Sequence, residues 1–297
     1  MNTHQISDIT QAVLDRLATD ADPRFKQIIS AVVRHAHALA REVDLKPEEW
    51  MAAIQFLTRV GQTCDDKRQE FILLSDTLGI SMLVVQLDQA RRSAKALADR
   101  SATLAPTEAT VQGPFYWDGA PVLPLGSDIG EGAPGEPAHY SGRVTDTHGQ
   151  PIANCCVDVW SGDGDGVYDM QLGGDAGMRL RARFHTDAEG RYDFWSIKPT
   201  AYAVPDDGPV GDMLRAMGRH PNRPGHMHMM VYRDGYVPVT THLFPADSPY
   251  LDSDAVFGVR DSLVIAFERH AAGKAPGGRT MDKPFHTTRF DFALAPA

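Results

Sequence analysis

Arg223-Pro224-Gly225-His226-Met227-His228-Met229-Met230-Val231 alternates apolar and nitrogen-bearing side chains. Read as an extended strand, it puts His226, His228 and Met230 on one face and Met227, Met229 and Val231 on the other. Two imidazoles on one face stand about 7 Å apart along the strand. That is close enough for two metal bonds of about 2 Å each to a single transition-metal ion. A plain strand with Met and Val on a core and both histidines facing water fits the same pattern. Either way the stretch is a strand, and it needs a sheet around it.

The neighbouring chain supplies that sheet. Tyr140 to Thr145 and Ile152 to Trp160 flank the turn Asp146-Thr147-His148-Gly149-Gln150, and Leu180 to Thr186 and Tyr192 to Ile197 flank Asp187-Ala188-Glu189-Gly190. These read as hairpins. Further strands are expected at His226 to Tyr232, Thr240 to Phe244, Leu263 to Glu268 and Thr287 to Leu294. Short strands at such spacing predict an antiparallel β-sandwich.

Upstream the pattern changes period. Phe25, Ile28, Ile29, Val32, Val33, Ala36, Leu39 and Val43 recur by threes and fours, one apolar stripe along a helix. Pro47, followed by Glu48 and Glu49, opens a second helix to about Val60. Asp65 is expected to cap a third, which carries Phe71, Leu74 and Leu78 and stops at Gly79. Another runs from about Ile80 to Leu97. The reading is mainly β with α: an N-terminal helical domain over 1–105, then a sandwich domain over 106–297. The latter includes a Pro- and Gly-rich connection, 106–137, whose Val111-Gln112-Gly113-Pro114-Phe115-Tyr116-Trp117 is too aromatic for a bare linker.

Composition bounds the partners. The 297 residues carry a formal charge of -10, which argues against nucleic acid or an anionic membrane and leaves a small molecule as the default ligand. No apolar run approaches the roughly 20 residues that span a bilayer. The first residues lack the basic and apolar regions of a signal peptide. Three cysteines, Cys64, Cys155 and Cys156, form no paired spacing. A soluble, cytoplasmic protein with reduced thiols is expected.

Two tyrosines follow strand ends. Tyr168 comes after Gly162-Asp163-Gly164-Asp165-Gly166-Val167, and Tyr202 after Lys198-Pro199-Thr200-Ala201. Loops at the end of a rigid sheet are where sites are built, although either ring could simply pack with its hydroxyl bonded.

With these landmarks in place the chain resembles the intradiol ring-cleavage dioxygenases, and within them the branch that acts on hydroxyquinol. The motifs are Gly142, Val144, Gly149, Ile152 and Val157-Asp158-Val159 with Gly166-Val167-Tyr168; Thr186-Asp187-Ala188-Glu189-Gly190-Arg191-Tyr192 with Pro199-Thr200-Ala201-Tyr202; and Gly218-Arg219-His220 with Arg223-Pro224-Gly225-His226-Met227-His228. Ser75-Asp76-Thr77-Leu78-Gly79 extends the likeness into the helices, so that it covers about residues 20 to 265.

The resemblance implies one non-haem Fe(III) per subunit, bound by Tyr168, Tyr202, His226 and His228. Phenolate oxygen is a hard donor suited to ferric iron, and metal attachment lets tyrosine act as an anion at neutral pH. A catecholic diol would bind through both oxygens, Tyr202 would leave the metal and accept a substrate proton, and O2 would attack the ring, both its atoms ending in the product. Arg223 matches an arginine beside the reacting ring. The substrate wall maps onto Met82, Val85, Gly113, Pro114, Phe115, Val204 and Pro205. His242 stands where catechol dioxygenases carry glutamine, and could contact substrate or only hydrogen-bond behind the ligands. Gln112 and Val85 depart from the Phe and Asp of the hydroxyquinol branch, which leaves the ring substituent open. A homodimer through the N-terminal helices, often with a phospholipid between them, is also implied.

Three rivals remain at this point. A catechol or chlorocatechol 1,2-dioxygenase would share the chemistry. A sandwich binding module would make the His-x-His incidental. A zinc hydrolase would need a third His or carboxylate that the spacing does not supply.

Overall fold

The computed structural model describes residues 3–65, 68–172 and 177–297. The chain packs as two compact units, Met1–Gln62 and Thr63–Ala297.

The first unit is built from helices α1 (Thr3–Asp15), α2 (Pro23–Glu42) and α3 (Pro47–Thr63). Asp22 caps α2 by accepting the Phe25 N–H at 2.7 Å, with Pro23 in the first turn. Thr10 Oγ1 meets His37 Nδ1 at 2.9 Å, which ties α1 to α2. The apolar stripe of α2 is not an internal core: the helix has no buried residue, and Phe25, Ile28, Val32 and Leu39 are exposed.

The second unit begins with α4 (Glu70–Thr77), α5 (Ile80–Arg92) and α6 (Ala94–Ala98). Asp65 does not cap α4. Its carboxylate accepts the Arg68 N–H at 2.7 Å instead, and the N-cap of the helix is Gln69. Gly79, at φ 75°, ends α4 as expected of a C-terminal glycine. The helix expected over Ile80 to Leu97 is two, divided at Ser93 (φ -89°, ψ 0°), which is the C-cap of α5 and the N-cap of α6. Among the described residues no single helix is long and apolar enough to cross a membrane.

The rest is β-structure in chain order. The strands are β1 (Pro137–Asp146), β2 (Cys156–Trp160), β3 (Arg181–His185), β4 (Arg191–Ile197) and β5 (Tyr202–Ala203). Helix α7 (Pro209–Ala216) and the short β6 (Asn222–Arg223) follow, then β7 (Met227–Tyr232), β8 (Val239–Pro245), β9 (Val264–Ile265) and β10 (Glu268–His270). The last are β11 (Gly273–Lys274), β12 (Thr280–Met281), β13 (Phe285–Arg289) and β14 (Phe292–Leu294). One sheet runs β3-β2-β7-β8-β9; the other has β1 paired with β4, β13 and β14, with β10 beyond β13. The core lies between them. Val157, Val159, Met227, Met229 and Val231 of the first sheet meet Ala138, Tyr140, Val144, Tyr192 and Phe194 of the second. Phe194 stacks on Tyr140 at 4.9 Å and on Phe184 at 5.0 Å.

The sandwich of the sequence reading is present, with two corrections. First, the sheets are mixed: β1 runs parallel to β13 and to β14, and β8 parallel to β9. The long strand β1 meets β13 along Ala138–Ser141 and β14 along Val144–Asp146. Between them lies Gly142, where a Cβ would stand 1.8 Å from the Phe290 carbonyl oxygen, so only glycine lets the chain pass.

Second, the two expected hairpins are corners. The turn at Asp146–Gln150 leads from β1 in one sheet to β2 in the other, and the turn at Asp187–Gly190 leads from β3 back to β4. Both turns carry aspartate caps: Asp146 Oδ1 accepts from His148 N and Gln150 N, Asp187 Oδ1 from Glu189 N and Arg191 N. That local chemistry is the same whether the chain doubles back or changes sheet.

Candidate metal centre and cavity

Strand β7 presents its two faces as alternation requires. Met227, Met229 and Val231 are fully buried in the core, and the opposite face is covered as well: His226 is 2% exposed and His228 1%. The water-facing reading of the histidines therefore does not hold. The cover comes from the connecting segment, in which Tyr116 packs edge-on against Trp160 at 5.0 Å while Trp160 stacks on His228 at 4.7 Å.

Four of the expected residues are brought together from three separate segments. Tyr168 lies beyond β2, in a loop held by Asp163, whose carboxylate accepts from Asp165 N and Val167 N. Gly166 in that loop has φ +79°, and a Cβ there would come within 2.6 Å of Tyr202 Cβ, so glycine lets the two tyrosine segments touch. Tyr202 sits on β5, directly paired with Arg223 on β6. Tyr168 Oη lies 2.9 Å from His228 Nε2. The Tyr168 and Tyr202 rings are 5.6 Å apart, Tyr202 and His226 5.5 Å, His226 and His228 4.7 Å.

The donors suit a cation. His226 Nδ1 donates to the Pro224 carbonyl at 2.8 Å, which leaves Nε2 with its lone pair directed inward. Burial first, and Arg223 second, hold His226 down to about 3. Burial also pushes His228 and His242 well below the usual imidazole range, so all three rings are neutral and able to ligate. Burial, together with Tyr202, raises Tyr168 well above 10; only a bound cation would make that hydroxyl an anion at neutral pH.

Arg223 is 3% exposed and grips Asp254 through Nε at 2.9 Å and Nη2 at 3.3 Å, with Nη1 3.2 Å from His226 Nε2. Burial disfavours its charge, but Asp254 and the two tyrosines outweigh that and raise its pKa. Burial likewise opposes the Asp254 carboxylate, and Arg223 reverses the balance and lowers it.

A cavity of about 500 Å³ opens over Tyr202 and Arg223. Of the expected wall, Gly113, Pro114, Phe115, Val204 and Pro205 line it. Phe115 stacks on Tyr168 at 4.4 Å. Met82 and Val85 stand behind that lining, packed with Val111, Val204 and Val256. His242 lies beside the donors rather than on the cavity wall: it pairs with His228 across β7 and β8, its ring 4.3 Å from His228 and 4.5 Å from His226. One donor atom from each of these three histidines lies within 4.8 Å of the others.

Sequence reasoning did not pick out Asp254 as the partner of Arg223, nor Asp76, Val111 and Val256 as cavity residues. Asp76 and Val111 lie inside stretches already quoted, but no spacing rule joins Asp254 to an arginine 31 residues earlier. Burial pushes the Asp76 carboxyl up, against the pull of Ser81 and Arg223.

Neutral imidazoles and phenols converging beside a cavity in a β-sandwich form a possible metal site of an enzyme. Comparison with known proteins gives the family. Residues 111–296 match the family model described as Dioxygenase, and residues 22–96 that described as Catechol dioxygenase N terminus. The chain belongs to the intradiol ring-cleavage dioxygenases. It is 46% identical to hydroxyquinol 1,2-dioxygenase of Nocardioides simplex over 98% of this chain and 95% of that one. It is 44% identical to 6-chlorohydroxyquinol 1,2-dioxygenase of Cupriavidus pinatubonensis over 100% and 99%. The structure of hydroxyquinol 1,2-dioxygenase from Pseudomonas putida superimposes with a TM-score of 0.88 at 40% identity, covering both chains completely.

Proposed function

We propose that this chain cleaves hydroxyquinol, benzene-1,2,4-triol, between its adjacent hydroxyls with O2, giving maleylacetate, at a non-haem Fe(III) held by Tyr168, Tyr202, His226 and His228. The observation that carries the reading is the convergence of these four side chains beside Arg223, with Tyr202 and Arg223 lining a largely apolar cavity. Hydroxyquinol-cleaving relatives of nearly the same length support the substrate.

Tyr168, Tyr202, His226 and His228 would hold the ferric ion, which when bound would supply Lewis acidity toward the diol and so make the ring open to O2. The protein does the rest. Tyr202 is only partly buried and rests on a two-residue strand; as the phenolate it would be when holding the ion, its oxygen would accept a substrate proton and become the neutral hydroxyl. Tyr168, fully buried and stacked on Phe115, stays in place. Arg223 carries a fixed positive charge toward the ring as negative charge develops there. Gly113, Pro114, Phe115, Val204 and Pro205 exclude water and flank the ring.

The rival is a catechol or chlorocatechol substrate, favoured by Val85 where the hydroxyquinol branch carries Asp. The cavity still holds a carboxylate, Asp76, able to meet a third hydroxyl among Leu73, Val111 and Val256. Oxygen uptake with hydroxyquinol, catechol, chlorocatechols and protocatechuate decides between them. Hydroxyquinol is expected to lead in kcat/KM by at least about tenfold; faster turnover of catechol would overturn the substrate while leaving the chemistry.

The helical region 1–105 is proposed to make a homodimer, with a phospholipid between the subunits. The support is the uncovered apolar stripe of α2. Val32→Asp on that stripe should reduce the mass seen by light scattering from a dimer to the 32.5 kDa chain. A wild-type protein that already runs at that mass refutes the dimer, and an organic extract without phospholipid refutes the lipid.

A further inference from the structure

We propose that His242 gives the centre a second metal-binding mode, in which His226, His228 and His242 together take a divalent cation of the Zn2+ class as a three-imidazole face. The inference rests on reading this cluster as a metal centre.

His242 is fully buried, and neither of its ring nitrogens has a hydrogen-bond partner. A buried polar side chain left so is uncommon and unfavourable, which makes a ligand the natural complement. The three rings stand 4.3 to 4.7 Å apart. Donor atoms at the corners of a triangle with 4.8 Å edges lie at most about 2.8 Å from its centre. Zinc–imidazole bonds are about 2.0–2.1 Å, so each ring need move in by no more than about 0.7 Å. Tyr168 Oη, 2.9 Å from His228 Nε2, offers an oxygen donor beside the three rings. Arg223 Nη1, 3.2 Å from His226 Nε2, opposes a cation there, but its charge is matched by Asp254.

The two modes differ in chemistry. Ferric iron is a hard ion and draws on two phenolates; Zn2+ is borderline, prefers nitrogen, and in such sites binds more tightly than Fe2+. The tyrosine pair then selects the oxidised iron, while the third histidine makes the same pocket vulnerable to zinc.

The test uses the full-length protein, stripped of metal and reloaded with Zn2+ or Fe(III) alone. His242→Gln should weaken Zn2+ binding at least tenfold in competition with a chromophoric chelator. It should leave the visible phenolate-to-iron absorption of the ferric protein in place, which also shows that the variant is folded. Equal Zn2+ affinity in wild type and variant overturns the proposal, as does equal loss of zinc and iron. X-ray absorption at the zinc edge of the wild-type protein gives a count that needs no mutation: three imidazoles are expected, and two would overturn the second mode. A wild-type protein without visible iron absorption refutes the ferric reading above, and the zinc measurements stand apart from it.

Discussion

Tyr168→Phe should lose ring-cleaving turnover by more than about 100-fold and lose much of its visible colour when loaded with ferric iron. The substitution removes one oxygen from a residue that is 1% exposed. It leaves the ring stacked on Phe115 at 4.4 Å, so the fold should persist. What disappears is the hydroxyl beside His228 Nε2, and with it the anionic donor to the metal proposed above. Absorption spectra of the iron-loaded variant, taken with oxygen uptake on hydroxyquinol, make the measurement. A variant as coloured and as active as wild type would remove Tyr168 from the centre and with it the proposed chemistry.

The second large effect belongs to Arg223 and Asp254. Both side chains are nearly inaccessible, and each is the main compensation for the other's charge. Asp254→Asn should therefore cost about 3–5 kcal/mol of stability, because it strands a buried guanidinium. Arg223→Met alone should strand the carboxylate at similar cost. The double variant Arg223→Met, Asp254→Leu removes both charges and should recover most of the stability. Turnover should stay low in all three, since Arg223 is proposed to stabilise charge developing on the ring, a role worth about 10²–10³ in kcat. Denaturant midpoints and kcat together separate the two roles. If the double variant regained activity along with stability, the pair would be a packing device and nothing more.

The limits of sequence reading can be traced to particular residues. Alternation over His226–Val231 put the right side chains on the core, because strand geometry is local. That the opposite face is also buried depends on Tyr116 and Trp160, which arrive from elsewhere in the chain. The turns at Asp146–Gln150 and Asp187–Gly190 were located correctly yet misread as hairpins, since an aspartate-capped turn is satisfied by its own backbone and says nothing about which sheet the next strand joins. The parallel partners of β1 lie almost 150 residues away, and no pattern within either segment announces them. His242 stood out as a departure from related enzymes, but only the pairing of β7 with β8 sets it against His228.

The order of the main helices and strands, the donor types in the motifs and the family itself were determined by residue types and spacings, since these act within a few residues or survive as motifs. The burial that keeps three imidazoles uncharged, the Arg223–Asp254 pair, the cavity wall and the place of His242 were decided by tertiary structure alone. Each depends on which distant segments exclude water from one another, and that is a property of the packed sandwich rather than of any stretch within it.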